Sequence, residues 1–239
     1  MLASTSPSDA RRLLAALTLP GTVRVGVADP PVRRLATGLP RLDAALDGGL
    51  PRGRLTELTG PVTSGKTSVL LACLAAATQR GEVTALIDLP DCLHPATAHA
   101  SGIELTRLLW VRPPSLPAAL RCTELLLEAG GFGFIAVDIG AASHHRPLRA
   151  PVWPRLAQAA RRSDAALAIV ADHRLAGSFA ALSLTLTARS HWSGGAWPLF
   201  DGMQLHLTVA RTKLNATRSA ESVQLKAVPT VSFLLSALA

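Results

Sequence analysis

Residues 55–77, LTELTGPVTSGKTSVLLACLAAA, constrain this chain more than any other stretch. A short alternating run containing Leu55, Glu57 and Leu58 leads into Gly60-Pro61-Val62-Thr63-Ser64-Gly65-Lys66-Thr67, and an Ala/Leu-rich segment without Gly or Pro follows. That order reads as strand, glycine-rich loop and helix. The spacing G-x-x-x-x-G-K-T is that of a phosphate-binding loop. Gly60 and Gly65 let the backbone wrap until successive N–H groups converge on one anion, and the helix N-terminus behind the loop adds partial positive charge. In such a loop Lys66 reaches the β- and γ-phosphates, and the Thr67 hydroxyl ligates the magnesium ion bridging them. The motif therefore predicts ATP and magnesium as cofactors, with Gly60, Ser64, Gly65, Lys66, Thr67 and Ser68 as binding residues.

A chain of 239 residues suits one α/β domain with a small appendage. With 49% hydrophobic and 17% charged residues, its composition is that of a packed core and not of a disordered chain. The net charge of +8 is carried almost wholly by arginine, because lysine occurs only at Lys66, Lys213 and Lys226. Such a charge fits attraction to nucleic acid or to an acidic protein, and it fits an arginine-rich coding bias equally well. Cys73, Cys92 and Cys122 are spaced too widely for a zinc knuckle and suit a reducing compartment. No apolar run approaches the roughly 18 residues of a membrane span. Arg11 and Arg12 interrupt the N-terminal apolar stretch, so the expectation is a cytoplasmic protein with no membrane partner.

In chain order, Ser6 and Pro7 start a helix whose apolar face carries Leu13, Leu14 and Leu17. Residues 22–27 place Val23, Val25 and Val27 on one face of a strand, and Ala28-Asp29-Pro30-Pro31 is a linker. Residues 1–31 thus form a helix-strand arm apart from a core at 32–239. The arm needs a surface to pack on, which makes Val23 and Val25 candidate subunit contacts and self-association an expectation. After a Thr37-Gly38 turn come a short helix with Leu42, Ala45 and Leu46, a strand over 83–88 and another over 108–112. An amphipathic helix spans 116–129, a buried strand 132–138, a helix 153–163 and a buried strand 166–171. Residues 182–187 and 204–213 alternate as antiparallel strands. Asp138, at the end of its strand, suits the cap of the next turn.

The run T-G-x-x-x-L-D-x-A-L-x-G-G-L-P-x-G-R-x-x-E-x-x-G-P-x-x-S-G-K-T, residues 37–67, resembles the start of the RecA recombinase core. The resemblance covers roughly residues 22–225. It implies an α/β fold, a RecA-like P-loop core with a mixed, mostly parallel twisted sheet flanked by helices and a short N-terminal helix-strand arm. It also implies that Asp138 is the Walker B aspartate and that His173 replaces the glutamine coupling the γ-phosphate to a DNA-binding loop. Arg211 and Lys213 fall where RecA-like proteins place two basic residues that reach the neighbouring subunit's nucleotide; a solvated strand end is an equal reading of them. Pro90 stands where the family carries the glutamate that activates water, two residues beyond Asp88, and proline can neither accept a proton nor orient water. Asp91 and His173 are then the residues left for a catalytic role. Thr97 replaces the tyrosine that stacks on adenine.

Both DNA-binding loops are short as well. The first holds His144, His145, Arg146 and Arg149 as its polar content, and the second little more than residues 174–178. No counterpart of RecA's separate C-terminal domain is recognised. A core so reduced resembles the ImuA-type proteins, RecA-like accessories of translesion polymerases, and residues 102–113, GIELTRLLWVRP, are similar to that group in particular. The resemblance implies a regulator of the SOS DNA-damage response that promotes translesion mutagenesis through contacts with RecA, translesion DNA polymerases or both. It would bind ATP with weak or no hydrolysis and bind single-stranded DNA weakly or not at all. The alternative is a DNA-dependent ATPase of the RecA family acting directly in strand exchange.

Overall fold

The phosphate-binding loop lies at the carboxyl edge of a mixed sheet in the computed structural model, which describes residues 32–140, 152–194, 197, 199–214 and 222–227. Two short strands, β1 (Arg34–Leu35) and β2 (Leu50–Pro51), pair antiparallel and enclose helix α1 (Pro40–Ala45). Thr37 ties this loop: its N–H and its Oγ1 both donate to Asp43 Oδ1, at 2.7 and 2.8 Å. The T-G…L-D pattern is therefore a small hydrogen-bonded unit. Gly38, at φ +79, packs so close to the helix that follows the phosphate-binding loop that an added Cβ would lie 2.8 Å from Ala76 Cβ.

The remaining elements are β3 (Leu55–Thr59), α2 (Lys66–Gln79), β4 (Thr84–Asp88), α3 (Pro95–Ala100), β5 (Leu108–Val111), α4 (Leu116–Ala129) and β6 (Phe134–Gly140). After them come α5 (Val152–Arg162), β7 (Ala166–Ala171), a 3-10 turn (Gly177–Phe179), β8 (Leu182–Ser193), β9 (Leu199–Thr212) and β10 (Ser222–Ala227). Among the described residues the main sheet has eight strands in the order β10-β9-β8-β3-β7-β6-β4-β5. From β8 to β5 each neighbouring pair is parallel, whereas β8-β9 and β9-β10 are antiparallel.

Parallel strands joined by helices are covered on both faces and so read as continuous apolar runs. Every residue of β3, β4 and β7 is buried. The strand period of two divides the core. Leu86, Phe134 and Ala136 face one layer with Leu70 and Leu74 of α2, while Ile87, Ile135 and Val137 face the other with Leu120, Leu127 and Leu156 of α4 and α5. Among the described residues no helix is long and apolar enough to cross a membrane.

The mixed, mostly parallel sheet flanked by helices is the fold that the sequence predicts. Two strands run further than expected: 182–187 extends to Ser193, and 204–213 begins at Leu199. Their distal ends, residues 189–193 and 199–201, form a ribbon exposed on both faces, where no burial enforces alternation. The first of the pair is antiparallel only to β9, and its other edge runs parallel to β3. Strand β10, polar in part, was not anticipated. The arm at 1–31 and the loop residues His144, His145, Arg146 and Arg149 lie outside the described residues.

Candidate nucleotide-binding site

Strand β3 is flanked by β7 and β8, with Thr59 in register with Ala171 on one side and Thr185 on the other. The chain leaves β3 at Gly60, φ +157, where a Cβ would fall 2.3 Å from the carbonyl oxygen of Leu186. At Gly65, φ +85, a Cβ would fall 2.4 Å from Leu205 Cδ2 of β9. Both glycines of the motif are thus required by close approaches as well as by backbone angle. Thr63, between them, also has positive φ, +67.

Helix α2 starts at Lys66 with Gly65 as its cap and no side-chain cap. Its first-turn N–H groups have no acceptor within the helix, and they present a ready anion site at the loop's mouth. The Ser64 Oγ is buried in the loop with no hydrogen-bond partner. Thr67 and Ser68 are exposed on the first turn of α2. An uncapped helix start, a left-handed turn and an orphaned hydroxyl fit a phosphate chain.

Lys66 Nζ donates to Gly60 O at 2.5 Å, Ala171 O at 3.1 Å and Asp172 Oδ1 at 2.5 Å. Asp138, partly buried on β6, accepts from Gly140 N–H at 2.9 Å. Burial pushes the Asp138 carboxyl above the usual carboxylate range; the nearby charges of Asp88 and Asp172 push the same way, and the Gly140 hydrogen bond and Lys66 oppose them. Asp138 and Asp172 therefore share the influence of one lysine. Among the described residues no group of three or more acids, histidines or cysteines is arranged to hold a metal directly.

Asp88, paired in register with Asp138, has a different task. It accepts from Leu93 N–H at 2.9 Å, Cys92 N–H at 3.2 Å and Trp110 Nε1 at 3.2 Å, which fixes the turn after β4. Pro90 sits in that turn and faces Gly140, whose added Cβ would touch Pro90 Cβ at 3.4 Å. Asp91, φ +53, directs its carboxylate to Arg112 Nη1 at 3.7 Å, and Arg112 lies over the Trp110 ring at 4.9 Å. Strand β5, which precedes Arg112, is the sheet edge on the far side of β4 from the loop, so Asp91 points away from Lys66.

Thr97 is engaged locally: its N–H donates to His94 Nδ1 at 3.3 Å, and its Oγ1 lies 3.0 Å from the same nitrogen. His173 is exposed in the bend after β7. Arg211 donates to Gly177 O at 3.2 Å, and Lys213 donates to Ser178 O, so both cations hold the 3-10 turn of their own chain. The structure brings Gly60, Ser64, Gly65, Lys66, Thr67, Ser68 and Asp138 to one strand edge and leaves Asp91, Arg211 and Lys213 apart from it. Val23 and Val25 lie outside the described residues.

Sequence reasoning missed two acids. Asp172 contacts Lys66, and its signal was its place, one residue past a buried central strand at the carboxyl edge where open sheets bind ligands. Glu57, 1% exposed, accepts from Leu175 N–H at 2.7 Å, Ala176 N–H at 2.5 Å and Ser183 Oγ at 3.2 Å. A charged residue inside an otherwise buried strand was its signal. A polar cavity of about 1060 Å³ opens at the opposite, amino edge of the sheet. Its charges pair with one another, as in Arg52–Glu82 at 2.5 Å and Arg33–Asp164 at 2.6 Å, so it is not the counterpart of this site.

The family profile of the RecA N-terminal domain matches residues 22–149. The RecA protein of Symbiobacterium thermophilum is 43% identical over 112 residues, 46% of this chain and 32% of that protein. RecA of Clostridioides difficile is 40% identical over 109 residues, 45% and 31% of the two chains. RecA of Chlorobium chlorochromatii is 40% identical over 118 residues, 49% and 33%. The match thus spans about a third of the length of these curated relatives.

Proposed function

Because the chain belongs to the RecA N-terminal domain family, we propose that it is a regulatory member of that family, one that holds nucleotide without efficient turnover and acts through protein contacts. The observation that carries this reading is the turn after β4. Pro90 faces Gly140 beside Asp138, where the family resemblance calls for a water-activating glutamate, and the neighbouring Asp91 is paired with Arg112. A site with phosphate and magnesium contacts but no base for water binds better than it hydrolyses. Lys66, Ser64 and the loop N–H groups would hold the phosphates, Thr67 would take a bridging magnesium ion, and Asp138 would hold that ion through water; ATP and magnesium are the proposed cofactors. Thr97, bonded to His94, offers no ring to an adenine.

The resemblance of residues 102–113 to ImuA-type proteins supports a role in the DNA-damage response, with RecA, translesion DNA polymerases or both as partners in the cytoplasm. The arm at 1–31 is the proposed docking element and 32–239 the nucleotide-binding core. Docked head-to-tail on a RecA filament, such a subunit would present a defective end to the next RecA. Steady-state ATP turnover with and without single-stranded DNA tests the reading. Turnover should be negligible in both conditions; DNA-stimulated turnover at ordinary enzyme rates would overturn it and favour a DNA-dependent ATPase acting in strand exchange.

A further inference from the structure

We propose that Asp172 sets the nucleotide preference of the loop, holding Lys66 where a γ-phosphate would otherwise hold it, so that the site takes a nucleoside diphosphate in preference to the triphosphate. This rests on the nucleotide-binding reading above. An ammonium group has three donors, and the three acceptors around Lys66 Nζ are Gly60 O, Ala171 O and Asp172 Oδ1, the last at 2.5 Å. The lysine of this motif reaches the β- and γ-phosphates. On such a loop the β-phosphate would rest on the loop's own N–H groups, and the γ-phosphate would lie beyond them and reach the lysine from outside the loop. Asp172 follows Ala171 at the end of β7, beside the loop, and holds Lys66 Nζ from outside those N–H groups.

The pair is largely withdrawn from water, with side chains 11% and 15% exposed for Lys66 and Asp172. Its attraction, and any repulsion between Asp172 and a phosphate, is therefore weakly screened. A diphosphate needs one donor of Lys66 and takes it by releasing the Gly60 carbonyl of the loop, which leaves the Lys66–Asp172 contact in place. A triphosphate must displace the carboxylate from the lysine and then share the space with it, next to Asp138 and Asp88. The loop that carries Asp172 is tied down, because Leu175 and Ala176, three and four residues on, are bonded through their N–H groups to the buried Glu57, so the carboxylate leaves the lysine by turning about its own side-chain bonds and stays beside the phosphate.

The test is calorimetric titration of the full chain with magnesium and either ADP or the non-hydrolysable imido analogue of ATP. The wild type should bind ADP more tightly by roughly tenfold or more, the scale of one charge-assisted hydrogen bond lost. Asp172→Asn, which keeps the shape and an acceptor for Lys66, should reduce the ratio toward one or invert it, chiefly by strengthening the triphosphate. Should that variant fail to fold, the wild-type ratio still decides. A triphosphate analogue that binds wild type as tightly as ADP overturns this inference and leaves the nucleotide site standing. A preference that Asp172→Asn leaves unchanged removes its assignment to Asp172. No binding of either nucleotide overturns both readings together.

Discussion

Replacing Glu57 by alanine tests whether one buried carboxylate organises the loop after β7. The side chain accepts two backbone N–H groups, from Leu175 at 2.7 Å and Ala176 at 2.5 Å, and the Ser183 hydroxyl at 3.2 Å. Truncation leaves the two N–H groups without their acceptor in a region where Ala176 is 1% exposed. Each such orphan costs about 1–3 kcal/mol, and relief from burying the carboxylate itself offsets part of the sum. A net loss of about 3 kcal/mol follows. At roughly 3 °C per kcal/mol for a chain of this length, the melting temperature should fall by roughly 9 °C. Glu57→Gln keeps an acceptor for both N–H groups and should lose only about 1 kcal/mol. The ion pair with Arg174, at 3.9 Å and 41% exposed on the arginine side, adds little. Urea unfolding followed by circular dichroism reads the difference. A loss under about 1 kcal/mol for the alanine variant, or equal losses for the two variants, would refute the reasoning.

Asp138→Asn should raise the melting temperature of the nucleotide-free protein at neutral pH, because the folded chain holds this carboxyl above its ordinary range and so favours its neutral form. The wild-type group stabilises fully only when protonated and loses that contribution as pH rises through its raised value, so the variant's gain should shrink as pH falls toward about 4; a gain that does not depend on pH refutes it. Gly65→Ala should abolish nucleotide binding and cost roughly 1–3 kcal/mol, since alanine resists φ +85 and meets Leu205. Leu205→Ala alone should cost about 2–5 kcal/mol, because Leu205 is buried, and the double variant should lose less than the sum of the two single losses; strict additivity would mean that the backbone angle alone is at fault. Maleimide labelling read by mass spectrometry should modify exposed Cys92 first and spare Cys73, which is buried and whose thiol burial pushes up to about 12; early labelling of Cys73 would contradict the packing of α2.

The core was legible because its signals are local. The loop's two glycines, the buried runs of β4 and β7 and the amphipathic α4 each carry their structure in adjacent residues. What escaped depended on residues far apart in the chain. The contact between Lys66 and Asp172 joins positions 106 residues apart, and that between Glu57 and Ala176 joins positions 119 apart, so no window of sequence contains either. Asp91 illustrates the same limit. Its adjacency to Pro90 suggests a substitute base, yet the positive φ of the turn sends its carboxylate toward Arg112. The distal β8-β9 ribbon was hidden for another reason, because strands exposed on both faces need no alternation.

Strand exchange by RecA, measured as this chain is titrated in, tests the regulatory account most directly. Exchange should fall as the chain docks on filament ends, and removing residues 1–28 should weaken the effect. Exchange that stays unchanged at several-fold excess over RecA would contradict it.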